Sequence, residues 1–272
     1  DDGCTDNSIQ NCSITMARAT DTFGIRSDSA SGRINHRNRY LRNHISGPKN
    51  GIYLYDSSAA QNLVLSGNQI SSVSAYGIYI RYTNNLEVSY NQIGMAATNT
   101  GNFTGINCYN ESGTGQIHHN QIIGGSTTGT VNGIYHHYDK FNIYSNQISG
   151  ISASSHIYGI RNYYGGSNGL VYDNLVADLA SSGTSDVAGI IMNSSVVYQN
   201  TVSGLSSNGN VYGMNISNGS VYRNDIHNLQ TGGSSSFVNG LYTNGTVTAH
   251  NNMICDLRAP SSNSVPQVRG IY

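Results

Sequence analysis

Apolar residues return along this chain in two alternating phrases whose spacing predicts short β-strands and leaves no room for helices. The first phrase is Gly followed by an aliphatic residue, often with Tyr next: Gly24-Ile25, Gly51-Ile52-Tyr53, Gly77-Ile78-Tyr79, Gly105-Ile106, Gly133-Ile134-Tyr135, Gly159-Ile160, Gly189-Ile190, Gly213-Met214, Gly240-Leu241-Tyr242 and Gly270-Ile271-Tyr272. The second is apolar-x-x-Asn-x-apolar, as in Leu65 to Ile70, Val88 to Ile93, Ile117 to Ile122, Ile143 to Ile148, Val171 to Val176, Val197 to Val202 and Val221 to Ile226. From Gly24 to Gly270 the first phrase recurs with a period of about 27 residues, the signature of stacked structural units. Between the phrases lie Asn, Gly and Ser, which punctuate strands.

A unit of two or three short strands cannot bury its own apolar face, but it can do so by winding into a coil and stacking on the next. The expectation is an all-β fold, a parallel β-helix of about ten coils, rising about 4.8 Å per coil to a rod of about 43 Å. Asn43, Asn68, Asn91, Asn120, Asn146, Asn174, Asn200, Asn224 and Asn252 would then stack as an Asn ladder at a bend. Asn suits a bend because it tolerates left-handed backbone angles and its amide can satisfy local backbone groups.

This repeat, with Asn11-Cys12-Ser13-Ile14 near the start, resembles the right-handed parallel β-helix proteins of the pectin-lyase-like superfamily. The likeness spans the whole chain and is closest to Asn- and Gly-rich secreted or surface repeats of Bacteroidota-type bacteria. It implies the fold, and a secreted or cell-surface location, but no single activity: the superfamily holds lyases, hydrolases, epimerases, tailspikes and adhesins. Residues 1–272 read as one β-helix domain, and the absence of recognisable caps at either end suggests a piece of a longer polypeptide.

Composition narrows the partners. Charged residues make up 10% of the chain and the net charge is −1, so no basic footprint for nucleic acid exists. The densest basic stretch, Arg33 to Arg42, reads as a solvated turn. No apolar run is long enough to cross a bilayer, so membrane insertion is not expected. Cys4 and Cys12 are near enough in sequence to bridge in an oxidising compartment, whereas Cys108 and Cys255 fall in different coils.

Candidate chemistry lies on the outward positions of the Gly-Ile-Tyr strands. Strand alternation puts Leu54, Ile80, Met192 and Ile216 inside and gives the same nominally inward position to the polar His136 and Asn162, which are either paired inside or mark a local change of parity. It turns Tyr53, Tyr55, Tyr79, Arg81, Tyr109, Tyr135, His137, Arg161 and Tyr163 outward. Tyr rings can stack on sugars while hydroxyl, Arg and His groups bond sugar hydroxyls, so an extended polysaccharide or surface glycan is the expected partner. A second Tyr column, Tyr144, Tyr172, Tyr198 and Tyr222, reads as structural. Catalysis by a lyase or hydrolase would need clustered carboxylates; Asp56, Glu111 and Asp139 fall one per coil on turn-like segments. A purely structural spacer is the third reading. His118-His119 and His136-His137 are expected to point to opposite faces of their strands and so not to chelate a metal as pairs. No metal site or cofactor is assigned, and calcium has no specific support in the sequence.

Overall fold

The computed structural model describes residues 5–17, 19–28, 35–109, 114–137, 140–162, 169–261, 263 and 267–272. They form a parallel β-solenoid in which each Gly-Ile strand pairs with its counterpart one coil on. Ile25, Ile52, Ile78, Ile106, Ile134, Ile160, Ile190, Met214, Leu241 and Ile271 lie side by side in a single register. Among the described residues the strands make a 17-stranded sheet, which carries two walls of the coil, and an 11-stranded sheet, which carries the third. In the later coils the two walls merge into single strands, Val187–Tyr198, Val211–Tyr222 and Val238–His250. No described helix is long and apolar enough to cross a membrane.

One apolar column per wall fills the interior. Ile52, Leu65 and Ile70 are fully buried in one coil, and Ile134, Ile143 and Ile148 repeat the arrangement three coils on. A Cβ added at Gly77 would strike Ile93 and the carbonyl of Gly105, so the Gly of the phrase is there to let two walls approach.

The Asn ladder forms as expected, but its geometry differs from the sequence reading. The left-handed residue is the one before each Asn: Arg42, Gly67, Tyr90, His119, Ser145, Asp173, Gln199, Arg223 and Asn251 all have φ between 51 and 69°. The bend lets the next Asn turn inward. Asn146 donates from its backbone N–H to Asn174 Oδ1 (3.0 Å) and from Nδ2 to the same oxygen (2.9 Å) and to Ile117 O (2.9 Å). Its own Oδ1 accepts from Asn120 N and Nδ2 at 3.0 Å each. Burial is therefore paired with complete hydrogen bonding, the condition under which a buried amide is stable. The ladder takes eight steps from Asn43 to Asn252, and the solenoid makes about eight turns, slightly fewer than the ten coils expected. The phrase count includes terminal coils in which not every wall is present.

Candidate functional site

Outward residues of the Gly-Ile-Tyr wall stack in columns fixed by the strand register. One column runs Tyr53, Tyr79, Asn107, Tyr135, Arg161; the next runs Tyr55, Arg81, Tyr109, with His137 following. Tyr53 and Tyr79 stack face to face, with centroids 4.5 Å apart and planes 7° apart. Phe23 and Tyr76 pack edge-on against that pair.

The two arginines are held by rings. The Arg81 guanidinium lies 4.9, 4.6 and 4.9 Å from the centroids of Tyr55, Tyr82 and Tyr109, and its Nη2 donates to the Tyr82 hydroxyl at 2.8 Å. Arg161 sits 4.3 Å from Tyr135 and 4.2 Å from Tyr158. A cation over aromatic faces is attracted by the ring quadrupole, and two or three rings restrict the guanidinium to one orientation. The sequence reading missed Tyr82 and Tyr158. Tyr82 reaches Arg81 because its φ of 60° breaks strand alternation, and Tyr158 occupies the position just before the phrase's Gly, as Tyr76 does.

Several expectations change. The Tyr rings spend their faces on one another and on guanidinium groups, so hydroxyls and ring edges are what a ligand would meet. His137 is turned from the core yet only 7% exposed, because Tyr109 (4.4 Å) and Tyr135 (4.3 Å) cover it. Burial, and secondarily Arg161, lowers its pKa to about 4. His136 does point inside, beside Cys108 and Asn162, and burial lowers its pKa to about 3. Asp56, expected on a solvated turn, is buried and accepts a 2.7 Å bond from Asn35 Nδ2. Tyr163, Glu111, Asp139, Arg33 and Cys4 lie outside the described residues. Burial also raises the Tyr79 phenol well above its ordinary range, so the hydroxyl stays protonated.

On the adjoining wall the second Tyr column is longer than the sequence suggested. His118, Tyr144, Tyr172, Tyr198, Tyr222 and His250 stack with centroids 4.7, 4.9, 5.0, 5.2 and 4.9 Å apart and planes within 8° of parallel. Before His118 the same position holds Ser89 and Ser66, and the missing rings leave a recess of about 410 Å³ bordered by Arg39, Arg42, Glu87 and Tyr90. Glu87 Oε1 accepts from Ser89 Oγ at 2.8 Å and stands 3.8 Å from His118 Nε2.

The adjacent histidines also depart from expectation. His119 is one of the left-handed residues, so its ring does not take the opposite face from His118, and the two Nδ1 atoms lie 2.9 Å apart. Among the described residues no three His, Cys, Asp or Glu side chains gather closely enough to enclose a metal ion.

A family model described as periplasmic copper-binding protein (NosD) matches residues 1–150. Among solved structures, the chain is similar to the A-module of a mannuronan C-5 epimerase from Azotobacter vinelandii, at 15% identity over 93% of this chain and 81% of that one, TM-score 0.44. It is also similar to tailspike protein 3 of bacteriophage CBA120, at 12% identity over 94% of this chain and 52% of that one, TM-score 0.20. No curated protein matches the chain.

Proposed function

The chain belongs to the NosD family of parallel β-helix proteins, and from that premise we propose that it works outside the cytoplasm as a rod that binds an extended glycan along its Gly-Ile-Tyr wall. The observation that carries the reading is the repeated clamping of guanidinium groups between tyrosines, at Arg81 and again at Arg161. A guanidinium fixed before the ligand arrives loses little freedom on binding, which raises affinity for a given set of contacts. Coils repeat every ~4.8 Å, so the phenol hydroxyls and N–H edges from Tyr53 to Arg161 form a line of hydrogen-bonding groups along the rod. Because the clamped charges are positive, a glycan bearing carboxylates or sulfates fits better than a neutral one. The periplasmic description of the family agrees with a location where such polymers occur.

Bond cleavage is not part of this proposal: of the nominated acids, Asp56 is buried against Asn35. Copper is named in the family's description; among the described residues no three His, Cys, Asp or Glu side chains come together.

The test is retention on an array of neutral and acidic polysaccharides. Arg81→Gln with Arg161→Gln removes both charges while keeping much of the side-chain bulk. Loss of charge-assisted hydrogen bonds worth ~1.5–3 kcal/mol each is expected to weaken binding about tenfold or more per site. A double variant retained like the wild type on every glycan would sink the reading.

A further inference from the structure

Where the second wall turns toward the Asn corner, one coil presents small side chains while the coils on either side present large ones. Strand pairing sets Val64 between Arg39 and Glu87, and Ser66 between Leu41 and Ser89. At the bend, the N–H groups of Arg42, Gly67 and Tyr90 each reach one coil on, to Ser66, Ser89 and His118, so Gly67 lies between Arg42 and Tyr90. The recess of about 410 Å³ is thus a slot one coil wide, floored by Val64, Ser66 and Gly67. We propose that this slot binds a small aromatic carboxylate, its ring lying flat between the coil of Tyr90 and the coil of Arg42.

The ring follows from the stacking. Tyr90 stacks on His119 of the next coil, with centroids 4.9 Å and planes 19° apart, which turns its other face to the coil of Gly67. That ring is 59% exposed. The sides of the slot are two coil steps apart, ~9.6 Å, so a ring at its middle lies ~4.8 Å from each. The protein's own rings keep that spacing, 4.7 to 5.2 Å in the adjoining stack. Arg42 then faces the ligand as Arg81 faces Tyr55 and Tyr109, a favourable contact of cation and ring. Its Nε donates to Asn11 Oδ1 at 3.0 Å, which holds the guanidinium at the edge of the slot.

Charge fixes the substituent. Arg39 and Arg42 stand on one side of the slot and Glu87 on the other. Among the described residues no carboxylate pairs with either arginine. A ligand carboxylate is drawn to the guanidinium groups and repelled by Glu87, which accepts instead from a ring hydroxyl. A carboxylate conjugated to a ring shares its plane and so fits a slot one coil wide, whereas a tetrahedral sulfate or the puckered ring of a sugar is thicker. The slot lies on a different wall from the Tyr53 to Arg161 columns, so it stands independently of the glycan reading.

The corner supplies variants that keep its backbone. Tyr90 and His119 adopt φ of 56 and 54° there, close to the 69° of Gly67, so Gly67→Tyr puts a ring of the protein's own into the slot. Tyr90→Ser copies Ser145, which has φ of 54° at the same bend. Calorimetric titration with 4-hydroxybenzoate at low ionic strength is set beside cyclohexanecarboxylate, phenol and glucuronate. One equivalent of 4-hydroxybenzoate is expected to bind with a Kd of about 1 mM or below. Cyclohexanecarboxylate, which keeps the charge but is puckered, and phenol, which keeps the ring but lacks the charge, should each bind about tenfold more weakly. Gly67→Tyr should abolish binding, Arg39→Gln weaken it about tenfold and Tyr90→Ser about fivefold. Arg223→Gln, at the same bend far along the rod, should change nothing. Wild-type affinity in Gly67→Tyr, shown folded by circular dichroism, overturns the assignment. So do equal affinities for the flat and the puckered acid, tighter binding of glucuronate, or no saturable heat up to about 10 mM ligand. Should Gly67→Tyr not fold, Arg39→Gln decides, and an unchanged affinity there is equally fatal.

Discussion

Replacing His136 by Met should flatten part of the protein's acid sensitivity. His136 is fully buried, and neither ring nitrogen has a hydrogen-bond partner. Its surroundings are Cys108 and Asn162 on the neighbouring coils, the Phe141 ring at 5.5 Å and His137 next in sequence. Desolvation, with a smaller contribution from His137, lowers its pKa from 6.5 to about 3. In the unfolded chain the same imidazole takes up a proton as pH falls through about 6.5, whereas the folded protein resists until about 3. The unfolded state therefore binds more protons throughout that window, so this contribution to stability is intact above pH ~6.5 and declines as pH falls. At 1.36 kcal/mol per pH unit, the loss between pH 7 and pH 5 is about 2 kcal/mol from this residue alone. Met is a suitable replacement because Met192 occupies the matching interior position two coils on. His137, whose pKa is lowered to about 4, has the same sign but is present in both proteins and largely cancels. Urea unfolding of wild type and His136→Met at the two pH values reads the difference. The stability gap should widen by about 2 kcal/mol on acidification, or roughly 4–8 °C in melting temperature for a chain of this size. Equal losses in both proteins would show that His136 does not titrate on unfolding, and the argument from burial would fail.

Other perturbations follow from the same geometry. Asn146→Ala removes the partners of Asn120 N and Nδ2 and of Ile117 O inside the rod, and should cost about 3 kcal/mol or more in urea denaturation. Gly77→Ala places a methyl against Ile93 and the Gly105 carbonyl, and a loss of ~1–3 kcal/mol is expected from thermal unfolding. Tyr172→Ala deletes two stacked contacts, at 4.9 and 5.0 Å, and should lower stability by ~1–3 kcal/mol while reducing the near-ultraviolet circular dichroism of the remaining rings.

The fold was legible in the sequence because its constraints are periodic. Each coil must supply an aliphatic residue to every wall, a Gly where two walls approach and an Asn at one corner, so about 27 residues state the rule and the rest repeat it. What escaped the sequence depends on single backbone angles and on neighbours one coil away. Alternation alone separates His118 from His119, and a φ of 54° at His119 reunites them. It likewise sends His137 outward, but only the rings of Tyr109 and Tyr135, each from a different coil or strand position, determine that it is covered. The Asn ladder was placed at the right corner with the wrong backbone: an inward Asn needs a left-handed conformation in the residue before it, a requirement that Arg42, Gly67, Tyr90 and Gln199 meet with no common chemistry. Clamping of Arg81 had a local signal, Tyr82 beside it, whose value depends on a left-handed turn that sequence does not reveal.

The ladder also gives the rod an electrical direction. Every Asn from Asn68 to Asn252 aims its side-chain carbonyl at the N–H groups of the coil before it, so these amide dipoles point the same way and do not cancel. Parallel alignment of peptide-sized dipoles of ~3.5 D is what gives an α-helix its charged ends. A β-solenoid built on such a column acquires a polarity of the same kind along its axis, negative toward Asn43 and positive toward Asn252, about a third as strong per unit length because one amide recurs every ~4.8 Å rather than one every ~1.5 Å.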